Sequence, residues 1–199
     1  MIEQDLVVAY FETNGFLVRQ ASHSITSKKK LEVLPVISVL NPRTSQNNTQ
    51  LNTRLFSADL SKIHSAQVAT LGWSNSSFSP ACLSSDVQLM KFFKQELNDK
   101  RVDGCFSVDT TWEVSGTKSL KLLVVPAMPK GLDRLEKLNQ MFEHLEINGV
   151  LTLRSILENL LRQSDPTTNY EAHEILQTLR LVKSYGLSRD PQLEIFEDD

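Results

Sequence analysis

The chain has little of what usually betrays a function. It holds only two cysteines in 199 residues, Cys82 and Cys105, far apart and without a C-x-x-C pair. That argues against a disulfide framework and against a zinc ribbon. Four histidines, His23, His64, His144 and His173, are scattered with no H-x-x-x-H pair, which leaves them reading as structural or surface groups rather than ligands. There is no G-x-S-x-G, no P-loop and no G-x-G-x-x-G, so the common hydrolase, nucleotide and dinucleotide motifs are missing. No apolar run approaches the ~18 residues of a membrane span, and Glu3 and Asp5 stand where an export signal carries basic residues. Without export or membrane signals, and with free cysteines, a cytoplasmic location is the expectation, with no membrane partner. The formal net charge of −3 supplies no global positive field to draw nucleic acid. Seven glycines and seven prolines leave little room for extensive disorder.

What remains is ordinary globular composition, 40% hydrophobic and 23% charged, in a chain long enough to bury a real core. "IEQDLVVAYFETNG" carries Leu6, Val7, Tyr10 and Phe11 at helical spacing and stops at Asn14-Gly15. It feeds "FLVRQ", a strand. "LEVLPVISVLNP" reads as a central strand interrupted at Pro35. "LFSADLSKIHS" leads to "AQVATLGW", a third strand. Ser84 or Ser85 is placed to cap a helix over "DVQLMKFFKQELNDK", with Val87, Met90, Phe93 and Leu97 on one face. "FSVDTTWEVS" reads as a strand or hairpin arm, "KSLKLLVVPAMP" as a buried strand, "GLDRLEKLNQMFEHLEIN" as a helix, "GVLTL" as a short strand and "RSILENLLRQ" as a helix. Asp165-Pro166 breaks the chain before a last helix, "NYEAHEILQTLRLVKSYG", with Ile175, Leu179 and Val182 at helical spacing and an acidic tail after it. The reading is two parts, an α/β domain over 1–165 and a helix with tail over 166–199 packed on it. That apolar stripe must cover the domain or, as the weaker option, a second copy in a homodimer, since each exposed side chain forgoes about 1.5–3 kcal/mol.

Three stretches in this order, "AYFETNGFLVRQ", "VISVLNP" and "AQVATLGW", resemble the opening helix and first three strands of the restriction-endonuclease-like PD-(D/E)XK superfamily over roughly residues 1–165. The resemblance implies a mixed sheet flanked by helices, with an α-β-β-β-α-β core. In active relatives, acids on the second and third strands bind Mg²⁺, and a lysine two residues after the third-strand acid assists hydrolysis of a phosphodiester. With Asn41-Pro42 and Gly72-Trp73 as anchors, those places fall on Val36, Ala69 and Leu71. Aliphatic side chains offer neither an oxygen to a hard cation nor a charge to an attacking hydroxide. The resemblance therefore implies a degenerate site with no cofactor.

Two function classes follow. The first is a non-catalytic module that binds or regulates a protein partner or nucleic acid. The second is a metal-dependent nuclease whose ligands have moved to Glu32, Asp59 and Lys91, with Lys94 and Asp86 as further donors; only this version needs Mg²⁺. Glu32 shares strand parity with Val36 but lies about 13 Å along the strand from it. For nucleic acid, the only cationic run is Lys28, Lys29 and Lys30, which Arg19, Arg43 and Arg54 would extend if the sheet brought them together. Trp73 would stand at the mouth of the inherited cleft, as a packing residue or a stacking platform.

Overall fold

The computed structural model describes residues 1–20, 34–47, 51–106, 118–171 and 173–188, apart from the side chains of residues 99, 100 and 103. Lys28, Lys29, Lys30, Glu32 and His23 lie outside these residues, as does "FSVDTTWEVS" beyond its first residue, Phe106.

Helix α1 (Ile2–Thr13) buries Val7, Ala9, Tyr10 and Phe11. It ends where the amide of Asn14 donates to the Tyr10 carbonyl at 2.7 Å and the Phe16 N–H returns to the Phe11 carbonyl at 3.0 Å. The chain then makes an antiparallel meander of β1 (Leu17–Gln20), β2 (Val36–Leu40) and β3 (Ser65–Thr70). Helices α2 (Pro80–Ser84), α3 (Asp86–Glu96) and α4 (Asp99–Phe106) lead to β4 (Leu120–Val125), parallel to β3. Helix α5 (Leu132–His144) leads to β5 (Gly149–Thr152), parallel to β4, and the chain closes with α6 (Leu153–Gln163) and α7 (Glu174–Ser184). The result is an α/β fold around an open, mixed five-stranded sheet whose spatial order, β1-β2-β3-β4-β5, is also its chain order.

Alternation along the strands divides the core into two layers. Ile37, Val39, Ala66, Val68, Leu122, Val124 and Leu151 face α1, α6 and α7. Val36, Ala69, Leu71, Leu123, Val125 and Val150 face α3, α4 and α5. All six residues of β3 are buried. One edge of the sheet is covered by the chain itself: the Leu55 N–H donates to the Val150 carbonyl at 2.8 Å and the Val150 N–H to the Thr53 carbonyl at 2.7 Å. Gly149 permits this approach, because a Cβ there would overlap the Leu55 side chain. No helix among the described residues is long and apolar enough to cross a membrane.

The structure corrects some local expectations and refines others. The second strand begins only after Pro35, whose carbonyl accepts the Thr70 N–H at 3.0 Å. "LFSADLSKIHS" contains a 3₁₀ helix, Ser57–Lys62. The helix over residues 86–100 is two helices: Asn98 caps the second by accepting the Arg101 N–H at 3.0 Å, an N-cap signal obscured by the apolar period before it. Within α3, Leu89, Met90, Phe92 and Phe93 are buried, while Val87 is 48% exposed in the first turn. Ser85 is the N-cap of α3, accepting the Gln88 N–H.

Helix α7 packs on α1 and α6. Its buried anchor is Leu176, at 3% exposure, with Ile175 and Leu179 partly buried beside it and Val182 half-buried. Arg180 Nε and Lys183 Nζ fasten the helix by donating to the Pro166 and Ser164 carbonyls at 2.9 and 3.0 Å. Replacing Leu176 with Ala is expected to destabilise the protein by about 2–4 kcal/mol, and Val182 with Ala by about 1 kcal/mol or less. Urea unfolding of the two variants checks this; equal losses would show that Leu176 is not the anchor.

Candidate functional site

The three positions singled out in the sequence meet. Val36 and Ala69 are direct partners across the antiparallel β2–β3 pair, and Leu71 follows two residues on, its N–H donating to the Val124 carbonyl at 2.9 Å. All three have 0% exposure. They belong to one apolar cluster with Leu34, Leu89, Phe93, Val102, Cys105 and Leu123, so side chains from α3 and α4 fill the space above the strands. Cys105 closes this layer: its thiol accepts the Leu34 N–H at 3.2 Å and donates to the Arg101 carbonyl at 2.8 Å. Burial pushes that thiol up to about 11, which keeps it protonated and unreactive at neutral pH. No oxygen is offered at these three positions to a divalent cation, and no group of three or more His, Cys, Asp or Glu side chains able to hold a metal occurs among the described residues. The residues present at these three positions do not fit a Mg²⁺ site.

The structure does not bring together the described members of the relocated set. Asp59 is buried beside Leu60, which belongs to the apolar cluster of α1 and not to that of Val36 and Ala69. It serves the 3₁₀ helix, with Lys62 Nζ donating to it at 2.7 Å and the Phe56 N–H at 3.1 Å. The Lys62 hydrogen bond holds its carboxyl below the ordinary aspartate value against the opposing effect of burial. Lys91 and Lys94 are exposed on the outer surface of α3. Asp86 accepts the Gly131 N–H at 2.8 Å and the Lys130 N–H at 3.1 Å, which joins the start of α3 to the start of α5.

The cationic residues are dispersed as well. Arg19 is exposed on β1, and the Arg43 guanidinium lies over Gly15 at the head of that strand. Arg54 is bridged to Val150 beyond the other edge of the sheet, five strand spacings or about 24 Å away, with its guanidinium 5.0 Å from the Phe56 ring centre. Arg19 is level with Ser38 and Gln67 in the sheet, whereas Trp73 follows the far end of β3.

The polar chemistry of this region lies just beyond the strand, in the turn Gly72–Ser77, of which sequence reasoning singled out only Gly72 and Trp73. Glu3, a buried residue of α1, accepts the Ser74 N–H at 3.1 Å and the Ser74 hydroxyl at 2.6 Å. Glu96, at the end of α3, accepts the Ser77 N–H at 2.8 Å and the Ser77 hydroxyl at 2.5 Å, and pairs with Arg101. Arg101 in turn donates to the Asn75 carbonyl at 2.7 Å. Asn75 stitches the turn to the strand, accepting from the Gly72 N–H and donating to the Thr70 carbonyl, both at 2.7 Å. Gly72 is required because a Cβ would come within 2.9 Å of Glu3 Cγ. The signal for Glu3 was therefore present as the Gly-Trp pair, but only its partner on another element reveals it.

Two carboxylates thus hold one turn from opposite layers of the fold, and the turn presents Trp73 at 42% exposure. Behind it runs an edge-to-face series, Trp73–Phe78–Phe92–Phe93–Phe142, with successive ring centres 4.7, 5.1, 5.2 and 6.2 Å apart. The arrangement can position a rigid surface; every carboxylate oxygen named in it already serves a hydrogen bond within the protein.

Comparison with known proteins adds no relative: no family model, no curated protein and no solved structure matches the chain.

Burial alone would raise the Glu3 carboxyl, but hydrogen bonds from the Ser74 hydroxyl and from the turn's backbone hold it below the usual glutamate value. A depressed folded-state value contributes stability above the unfolded value of about 4.3, and that contribution is lost as pH falls through the folded value. Glu3→Gln is accordingly expected to lower stability at pH 7 and to flatten the decline below pH about 4.5. Urea midpoints measured from pH 7 to pH 3 check this; parallel curves for the two proteins would remove Glu3 as a titrating clamp.

Proposed function

We propose that this chain is a catalytically silent relative of the restriction-endonuclease-like PD-(D/E)XK nucleases and acts as a binding or regulatory module. The observation that carries the reading is the pairing of Val36 with Ala69, and the burial of both with Leu71 in one apolar layer. The element order supports the same reading: a helix, a three-stranded antiparallel meander, intervening helices and a fourth strand parallel to the third. A protein that retained this frame while filling its centre with aliphatic groups keeps a stable surface and loses the means to polarise a phosphodiester. The rigid turn at Gly72–Ser77 and the closed edge at β5 are features of a scaffold.

Restoring the missing charge should be costly. Val36→Asp would place an unpaired carboxylate among Leu34, Ala69 and Leu123 and is expected to destabilise the protein by about 4 kcal/mol or more. Chemical denaturation measures it; a loss under about 1 kcal/mol would mean that the layer is open to water.

The function itself is tested by incubating the purified protein with single- and double-stranded DNA and RNA and either Mg²⁺ or Mn²⁺. No cleavage is expected, because metal ligation and positioned charge together supply several kcal/mol of transition-state stabilisation that these residues cannot provide. Cleavage by the parent that disappears in a variant carrying Glu32→Gln, Asp59→Asn and Lys91→Ala would overturn the reading in favour of relocated ligands.

A further inference from the structure

We propose that the groove between the C-terminal ends of α3 and α5 docks a protein segment in which a bulky apolar side chain is flanked by carboxylates. The proposal rests on the reading of the chain as a binding module and names the surface and the partner's chemistry.

The groove encloses about 270 Å³ and is lined by Leu97, Lys137, Gln140, Met141, His144 and Leu145. Its floor is the outer margin of the apolar layer that covers Val36 and Ala69: Leu97 and Leu145 are core residues, and Met141 packs against them partly exposed. A half-exposed methionine over a leucine floor suits an inserted apolar side chain, since an unbranched thioether adjusts its shape at little cost.

The rim is polar, and its one formally charged residue is a cation, Lys137. Lys137, Gln140 and His144 are all exposed, and among the lining residues there is no carboxylate. The acids of the same helix, Asp133, Glu136 and Glu143, lie outside the lining. Neither Lys137 nor His144 has a carboxylate partner among the described residues, in contrast to Lys62, Arg101, Lys121, Arg134 and Arg154. Nor are they occupied in closing the helix. The last carbonyls of α5, on Met141, Phe142 and Glu143, accept the N–H groups of Leu145, Ile147 and Glu146 at 3.1, 2.9 and 3.0 Å. An apolar floor inside a rim of unpaired donors complements a segment with the reverse pattern, apolar at the centre and acidic at its flanks.

The test uses the full chain with methyl-labelled methionine and leucine, titrated with the acetylated, amidated hexapeptide EDFEEL, its lysine counterpart KKFKKL, and an oligothymidine of eight nucleotides. The acidic peptide is expected to shift the Met141 methyl signal saturably, with the lysine peptide at least about fivefold weaker. Lys137→Glu, a change at an exposed position, should weaken the acidic peptide by about fivefold or more and narrow the difference between the two. Absence of a saturable shift with the acidic peptide, equal binding of both peptides, or indifference to Lys137→Glu would overturn the proposal. Saturation by the oligonucleotide in place of the acidic peptide would overturn it in favour of nucleic acid. These outcomes are separate from those of the cleavage assay, so a silent groove leaves the loss of nuclease chemistry standing, and cleavage leaves the groove to be judged by its own titration.

Discussion

The structure depends on a sheet that is dry on both sides at its third strand. Every side chain of β3 is buried, with Ala66 and Val68 turned toward α1 and α6 and Ala69 turned toward α3 and α4. A strand in that position has no solvent-facing side on which to carry a charge. Its polar members, Ser65, Gln67 and Thr70, are buried like the rest, and apart from Gln67 the strand is built from small and β-branched residues that let helices approach from both directions. The parallel pairing with β4 extends the same environment, since Leu122, Leu123, Val124 and Val125 are also fully buried. The apolar identity of Val36, Ala69 and Leu71 is thus one expression of how the two layers are packed.

Where β3 leaves the sheet, the two helical layers need to be tied to each other, and this is done with charge. Glu3 comes from one layer and Glu96 from the other; both oxygens of Glu3 and one of Glu96 accept from the serines of a single turn. Buried carboxylates are tolerable only when their acceptor capacity is met. The alternation of serine and asparagine through "SNSS" supplies the donors. Arg101 adds a charge to balance Glu96 and a donor for the turn's backbone. Small polar residues that would read as a loose loop are therefore a hydrogen-bonded junction.

Much of the fold was legible in the sequence, because the strongly periodic segments carried their own type. The opening helix, the meander, the buried run at residues 120–125 and the helices at 132–144 and 153–163 stand where hydrophobic spacing places them. What was not legible depended on partners. Val87 fits the helical stripe but occupies the first turn, before the helix reaches the core. Leu176 lies one residue away from the spacing read at Ile175, and only the docking on α1 and α6 selects it. The joint at Asn98 was concealed because the apolar period before it continues without a glycine or proline. Of the candidate site, the register that sets Val36 against Ala69 could be inferred from two short anchors. Glu3 could not, since its role arises between the first helix and a turn some seventy residues later.

The strand order has a bearing on how the molecule is made. Because β1 to β5 are neighbours in space in the same sequence as along the chain, each strand emerging from synthesis finds its pairing partner already present. The sheet can grow in one direction without opening to admit a late strand, and the antiparallel meander provides a short-range start of the kind that forms quickly. The helices follow a different schedule. Helix α1, first to be synthesised, waits for α6 and α7 to complete its layer. The sheet strands made early cover part of its apolar face, but the side that meets α6 and α7 is covered late, and the interval before residue 153 appears is when a chaperone would have that side to shield.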